Sequence, residues 1–183
     1  MHRDPLLALL AAYRSLDEED AASCRRIAEF VRAHPDCFER SLLVGHVTGS
    51  AWIVDPARSS CLLTHHRKLD RWLQLGGHAD GQSDVLAVAM REAREESGLR
   101  SLRVVEAAVF DCDVHWIPER KQEPGHWHHD VRFLLEADPD EPLVVSAESK
   151  DLAWVSLDEV PRLADDASVL RMVARTPGRG TGA

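Results

Sequence analysis

Residues 76–99 have the sequence GGHADGQSDVLAVAMREAREESGL, and this stretch decides the fold. Two glycines precede a short polar loop and a segment with helical periodicity from about Asp84 to Ser97. Gly98 stands just past its end, where glycine commonly terminates a helix. At about 100° per residue, the helix would have a packing side and an acidic side. The packing side consists of Leu86, Ala89, Met90, Ala93 and Ser97, and the acidic side of Glu92, Glu95 and Glu96. The stretch therefore predicts a helix that packs on a sheet and presents carboxylates.

The three glutamates form an electrostatically unfavourable patch by themselves. Like charges at the spacings of Glu92, Glu95 and Glu96 repel one another across a helix turn. They also lie toward the helix C-terminus, where the helix dipole disfavours anions. A divalent cation would relieve both penalties, and Mg²⁺ typically takes one or two carboxylates together with substrate phosphates. A solvated acidic face balanced by Arg91 and Arg94 explains the same pattern equally well.

The whole stretch resembles the Nudix box, G-x5-E-x7-R-E-U-x-E-E-x-G-U, in which U is an aliphatic residue. Gly77 takes the first place of this pattern. Residues 91–99, REAREESGL, match its second half, with the small Ala93 in the place of the first aliphatic residue. The long second half is highly specific, so the chain is identified as resembling the Nudix hydrolase family.

The sequence departs from the box at one position. The first glutamate of the family pattern falls at Ser83. Asp80 and Asp84 lie close by and could take over part of its role. In the family this glutamate mainly supports the loop and the metal shell. Serine at this position therefore leaves the reaction rate and the number of metal ions open, but it affects the assignment to the family less.

The resemblance implies a fold and a reaction. The fold is α/β (α+β), a mixed β-sheet sandwiched between helices. The reaction is Mg²⁺-dependent hydrolysis, with Mn²⁺ as a second option, of a phosphoanhydride in a nucleoside diphosphate linked to another moiety, such as ADP-ribose or a related nucleotide.

The resemblance also assigns roles to individual residues. The glutamates of the second half would bind the metal, and one of the first two would orient or deprotonate the attacking water. An arginine would brace the carboxylates, and the paired glycines would let the backbone approach the substrate. In this sequence the metal-binding residues are Glu92, Glu95 and Glu96, the catalytic residues are Glu92, Glu95 and Arg91, and the substrate-binding residues are Gly76 and Gly77.

The rest of the chain suggests three parts. Residues 1–36 are predicted to be an N-terminal helical extension that packs on the domain or forms a dimer surface. Residues 37–175 form the hydrolase domain, and the Gly-rich residues 176–183 form a flexible tail. Within the domain, runs 42–47 and 51–54 flank Thr48-Gly49-Ser50 and suggest a hairpin, and residues 104–114 suggest one long strand.

Composition limits the partners. The 183 residues suffice for one domain with a sizeable core. A net charge of -9 disfavours a broad nucleic-acid surface, and no apolar run approaches the roughly 18 residues of a membrane span. The four cysteines form no C-x-x-C pair and suggest reduced thiols in a cytoplasmic protein. The expected partner is a small nucleotide, and homodimer formation is left open.

Two polar clusters carry open alternatives. His126, His128 and Asp130 would share one face of a strand. They either bind zinc or another transition metal, or are polar residues beside the active cleft or at a sheet edge. The basic residues within 65–71 either meet substrate phosphates or form a solvated loop.

Two other functions remain beside hydrolysis. A binding or regulatory module on the same scaffold is kept open by Ser83, because a fold alone does not prove activity. A diphosphate isomerase would need a cysteine and an acid in the cleft, and Cys61 and Cys112 are the cysteines considered for it.

Overall fold

The computed structural model describes residues 2–120, 124–147 and 149–178. Within these ranges, every helix is too short or too polar to cross a membrane. Most of the predicted tail, residues 179–183, lies outside the described residues.

The described residues contain one sheet of eight strands, and its mixture of parallel and antiparallel pairs confirms the predicted mixed sheet. Its path runs β3-β2-β1-β7-β5, while β4 pairs with β1, β6 with β7 and β8 with β2. The strands are β1 (Gly45–Val54), β2 (Ser60–His66), β3 (Arg71–Leu73), β4 (Leu75–His78), β5 (Arg103–Val104), β6 (Asp111–Ile117), β7 (His126–Glu136) and β8 (Ser149–Ser156). The helices are α1 (Asp4–Ala12), α2 (Glu18–Ala33), α3 (Val85–Ser97), α4 (Val160–Leu163) and α5 (Ala167–Arg175).

The central strand β1 corrects the predicted hairpin. Thr48-Gly49-Ser50 is not a turn but the middle of one continuous buried strand. This segment pairs with β4 on one edge and, in parallel, with β7 on the other. Gly49 serves close packing, because a Cβ there would lie 2.8 Å from the carbonyl oxygen of Val85 on α3. Gly49 therefore indicates the close approach of α3 to the strand and not a turn of the chain.

The predicted strand over residues 104–114 is also divided. It consists of β5 and β6, and residues 105–110 between them leave the regular ladder. The two ends of this excursion still bond to β7, since Val105 N donates to Leu134 O at 3.1 Å and Phe110 N donates to Arg132 O at 2.8 Å.

The N-terminal helices share the main core. Leu6, Leu10, Ile27 and Val31 are buried in the same apolar cluster as residues of the sheet and of α3. Arg175 at the end of α5 donates to Tyr13 Oη and to backbone carbonyls of the neighbouring segments. The apolar side of this extension is therefore used inside the molecule, which favours the packing role over a dimer surface.

The C-terminal helix covers the second apolar cluster. Val169, Met172 and Val173 of α5 pack there against Trp52. The Trp52 indole donates to Thr176 Oγ1 at 2.9 Å, and Thr176 is buried. The first residue of the predicted tail, Thr176, is therefore packed against the domain.

A buried arginine joins strands β6 and β7. The Arg132 guanidinium is 2% exposed and contacts the carboxylates of Asp130 at 2.7 Å, Asp111 at 3.0 Å and Asp113 at 3.3 Å. Arg171 of α5 also donates to Asp111, at 2.7 Å. These buried charges are tolerable because each has an opposite partner.

We expect Arg132→Met to lower the free energy of unfolding by about 3–5 kcal/mol, because buried carboxylates would lose their shared cation. Urea denaturation measures this change. Arg162→Met is the control, because Arg162 pairs with Glu159 on the exposed surface at 2.6 Å and such pairs contribute only about 0–1 kcal/mol. Equal effects of the two substitutions would contradict this account.

Candidate functional site

Helix α3 carries the acidic residues, and its sequence sets both of its ends. The Asp84 side chain accepts from Ala87 N at 3.0 Å and caps the first turn. Gly98 has a φ of 75°, and its N–H donates to Arg94 O at 2.8 Å. The helix predicted from about Asp84 to Ser97 is confirmed.

The paired glycines of β4 lie directly under this helix. Gly77 pairs with Gly49 of β1, and a Cβ on Gly77 would lie 2.5 Å from the Glu92 carboxylate. Gly76 faces the other way, where a Cβ would lie 2.7 Å from Ser50 Cα. Glycine at residue 77 thus makes room for a carboxylate, and glycine at residue 76 makes room for the neighbouring strand.

Glu96 also contacts this strand. Its Oε2 accepts from Gly76 N at 3.1 Å, and the residue is 7% exposed. The predicted acidic side is therefore divided. Glu96 lies on the buried side of α3, while the Glu95 side chain is 61% exposed and that of Glu92 is 15% exposed.

Arg91 braces the carboxylates. Its Nη1 lies 2.7 Å from Glu92 Oε1 and 3.6 Å from Glu95 Oε2. Its Nη2 donates to His78 O at 2.9 Å. One guanidinium thus ties the acidic side of α3 to the end of β4.

Asp80 and Asp84 are the two aspartates near Ser83 that could replace the missing glutamate, and both lie between β4 and α3. Asp80 is held by Arg40 through bonds of 2.6 and 2.7 Å, and Asp84 caps α3. Asp80 thus anchors the loop that contains Ser83. Both aspartates have structural partners, which favours loop support over metal ligation by either of them.

An oxygen site for a hard cation fits the two carboxylates beside β4. Glu96 accepts from Gly76 N, and the Glu92 carboxylate occupies the space where a side chain on Gly77 would lie. Mg²⁺ commonly needs only one or two protein carboxylates. In the described ranges, the three glutamates do not converge as a ready three-ligand group.

Histidines converge on the other side of β4. His46, His78 and His128 place ligand atoms within 4.8 Å of one another. His126 Nε2 lies 3.2 Å from His128 Nε2. Burial and the surrounding positive groups lower the pKa of His46 to about 4 and that of His128 to about 2, so both rings are neutral at pH 7.

His126, His128 and Asp130 lie on β7, which pairs with β1 on one side and β6 on the other and is therefore not a sheet edge at these residues. All three side chains do lie on one face of β7, but Asp130 has other partners. It accepts from Thr48 at 2.9 Å, Ser50 at 2.8 Å and Arg132 at 2.7 Å.

The basic segment within 65–71 is engaged with its surroundings. His65 pairs with Asp70 at 2.8 Å, and Arg67 donates to the carbonyls of Ala147 and Ser149 at 3.0 and 2.7 Å. These contacts favour a structural surface loop over a phosphate site.

The two cysteines considered for an isomerase lie in the core. Cys61 and Cys112 are both fully buried in apolar clusters. Burial raises the pKa of the Cys61 thiol to about 12. A hydrogen bond with Cys24, together with burial, raises the pKa of the Cys112 thiol well above its ordinary value. These positions do not support an isomerase.

Comparison with known proteins decides the family. The model of the NUDIX domain matches residues 45–175, which is more than half of the chain. The chain belongs to the Nudix hydrolase family. The family match begins at β1, so α1 and α2 precede the part that the Nudix domain model covers.

Individual Nudix relatives are distant. The rat bis(5'-nucleosyl)-tetraphosphatase [asymmetrical] is 26% identical over 97 residues, which cover 52% of this chain and 63% of that protein. The chain thus matches less than two thirds of the length of this relative.

Several solved structures have a similar fold. An Ap4A hydrolase binary complex from C. elegans has a TM-score of 0.55 at 18% identity, covering 70% of this chain and 93% of that one. A NUDIX-family hydrolase from Clostridium perfringens has a TM-score of 0.54 at 21% identity, covering 72% and 95%. The E. coli dihydroneopterin triphosphate pyrophosphohydrolase has a TM-score of 0.54 at 14% identity, covering 71% and 94%. These likenesses confirm the predicted mixed sheet with helices.

Sequence reasoning missed His46 and His78 as neighbours of His128. A signal was present for His78, which directly follows the paired glycines. His46 is brought beside His128 only by the parallel pairing of β1 with β7.

We expect different effects from alanine at the two glycines. Gly76→Ala should lower the free energy of unfolding by about 1–3 kcal/mol, because the new methyl would overlap the β1 backbone. Gly77→Ala should lower the free energy of unfolding by less, because the new methyl would meet the Glu92 carboxylate, which is the mobile end of a side chain. The substitution should, however, displace that carboxylate. Urea denaturation compares the two, and equal losses would contradict the assigned contacts.

Proposed function

We propose that this protein is a divalent-metal-dependent pyrophosphohydrolase that cleaves a phosphoanhydride in a nucleotide. Mg²⁺ is the expected cation, with Mn²⁺ as an alternative. The observation that carries the proposal is the position of two carboxylates against β4: Glu96 accepts from Gly76 N, and Glu92 occupies the space beside Gly77, next to the Arg91 brace.

The oxygen donors suit this chemistry. Glu92 and Glu96 would hold the cation, with Glu95 as the outer carboxylate of the same helix. A cation bound there would neutralise charge on the phosphate oxygens and acidify the attacking water. Glu92 or Glu95 would orient that water or accept its proton, as the family resemblance implies.

Arg91 would position the carboxylates. Its bonds to Glu92 and to His78 O fix the acidic side of α3 relative to β4. Charge-assisted hydrogen bonds of this kind are strong and directional. Ser50 fills the space beside Gly76, and the Glu92 carboxylate fills the space beside Gly77. These two glycines would therefore serve substrate binding by placing the metal-binding carboxylate against β4.

The substrate class rests on the family and its relatives. Dinucleoside polyphosphates are chosen as test substrates because of the rat tetraphosphatase. ADP-ribose is chosen because the sequence resemblance implies substrates of this kind. The test panel contains both of these classes together with nucleoside triphosphates and nucleotide sugars. We expect the protein to hydrolyse one class of this panel faster than the others. Mass spectrometry of the products identifies the bond that breaks.

We expect Glu96→Gln to lower kcat by about 100-fold or more, because the amide removes one charge that stabilises the transition state. The measurement is turnover of the best panel substrate at saturating Mg²⁺. Glu19→Gln, an exposed position on α2, is the matched control and should keep full activity. Near-normal turnover of Glu96→Gln would remove this residue from the mechanism.

A nucleotide-binding or regulatory module is the second candidate, and Ser83 in the place of the first glutamate of the box favours it. The same panel separates the two functions. Tight nucleotide binding without turnover, with and without Mg²⁺ or Mn²⁺, would support the module. Metal-dependent product release would support the hydrolase.

A further inference from the structure

Five histidines share one face of the sheet at the same end. His46 of β1 pairs with His128 of β7, and His128 pairs with His115 of β6. His126 precedes His128 by two residues, on the same face of the strand. His78 belongs to β4, where it pairs with Thr48, two residues from His46.

We propose that His46, His78 and His128 bind one transition-metal ion, with zinc the best match, and that His126 is the adjoining fourth donor. This ion would join β1, β4 and β7. The site is separate from the oxygen site proposed above, because it lies on the opposite face of β4.

The distances suit a small ion after minor adjustment of the side chains. The three ligand atoms lie within 4.8 Å of one another. Donors placed roughly 2.0–2.1 Å from a tetrahedral zinc are about 3.3 Å apart. The separation of 3.2 Å between His126 Nε2 and His128 Nε2 already matches that spacing. The ring centroids of His46 lie 4.9 Å from those of His78 and His128.

A buried polar side chain points to a missing ligand. His46 is 2% exposed, and among the described residues its ring nitrogens form no hydrogen bond of ordinary geometry, with only a weak interaction with the Leu42 backbone. Leaving such atoms unsatisfied costs free energy. Coordination of a metal through one nitrogen would remove part of this cost.

The surrounding contacts resemble those that orient metal ligands. His126 Nδ1 lies 2.8 Å from Pro124 O, which leaves its Nε2 directed to His128. His115, which is not one of the proposed ligands, is held by Asp113 at the edge of the cluster, with 2.9 Å between His115 Nδ1 and Asp113 Oδ2. Ligating histidines commonly use their second ring nitrogen in such bonds.

The donor set selects the metal. Imidazole nitrogens suit Zn²⁺ and its transition-metal neighbours, whereas Mg²⁺ prefers oxygen. Asp130, the nearest carboxylate on the same face of β7, is already bound by Thr48, Ser50 and Arg132. Mg²⁺ should therefore not compete for this site.

The position gives the ion a structural role. His78 supplies a ligand through its side chain, while its carbonyl accepts from Arg91. A metal that fixes His78 to β1 and β7 would also fix the acceptor of the arginine that braces the α3 carboxylates.

The test begins with full-length protein purified without a histidine tag, stripped by chelator and titrated with Zn²⁺ in a large excess of Mg²⁺. We expect one tightly bound zinc per chain. Zinc at a hundredfold excess over its Kd should raise Tm by about 5–10 °C. No tight binding, or binding abolished by Mg²⁺, would overturn the proposal.

Single substitutions then locate the site. His46→Gln, His78→Gln and His128→Gln should each weaken zinc binding by at least about 100-fold, because even outer partners of metal ligands contribute roughly 10- to 100-fold. His129→Gln is the matched control, since this buried histidine is the next residue of β7 and stacks on Phe30 on the other face. Equal binding by His128→Gln and His129→Gln would contradict the assignment.

X-ray absorption spectroscopy on the zinc-loaded wild type keeps the test valid if a variant fails to fold. Three or four imidazole nitrogens at about 2.0–2.1 Å would support the site. A shell made mainly of oxygens would overturn it and place the zinc at the glutamates. The result is independent of hydrolysis, so failure of the zinc site and failure of the proposed activity are distinguishable.

Discussion

The close approach of α3 to the β1–β4 pair is the constraint on which the structure depends. Gly49 and Gly77 pair with each other, and a Cβ on either would overlap α3, at the Val85 carbonyl or at the Glu92 carboxylate. Two facing glycines thus let a helix lie directly on the strands. That contact brings the acidic turn of α3 to the backbone of β4 and determines where a cation and a phosphate could meet.

Strand β4 separates two chemically different environments. On the α3 side, the Glu96 carboxylate accepts from Gly76 N, the Glu92 carboxylate lies beside Gly77, and the Arg91 guanidinium donates to His78 O. On the other side, histidines gather beside the buried Arg132 and its aspartates. The pleat of a strand sends alternate side chains to opposite faces. Residues 77 and 78 can therefore serve an oxygen site and a nitrogen site without mixing their ligands.

The N-terminal helices show how a segment outside the family match becomes part of the domain. Leu6, Leu10, Ile27 and Val31 complete the main apolar cluster, and Arg175 ties the α1–α2 segment to the end of α5. Burial of apolar surface is the main stabilising contribution in folding. Removal of these helices would expose a side of the core that the sheet does not cover by itself.

The sequence by itself determined the local features: the approximate bounds of α3, its glycine terminus and the box that identifies the family. These depend on residues within one or two helical turns. Only the tertiary structure decided that Thr48-Gly49-Ser50 is strand, that Glu96 is buried while Glu95 is exposed, and that His46 lies beside His128. The last two residues are 82 positions apart and meet through parallel pairing. Sequence periodicity predicts which face of a strand or helix a side chain lies on. The register between strands that are far apart in the sequence is set by the packing of the whole sheet.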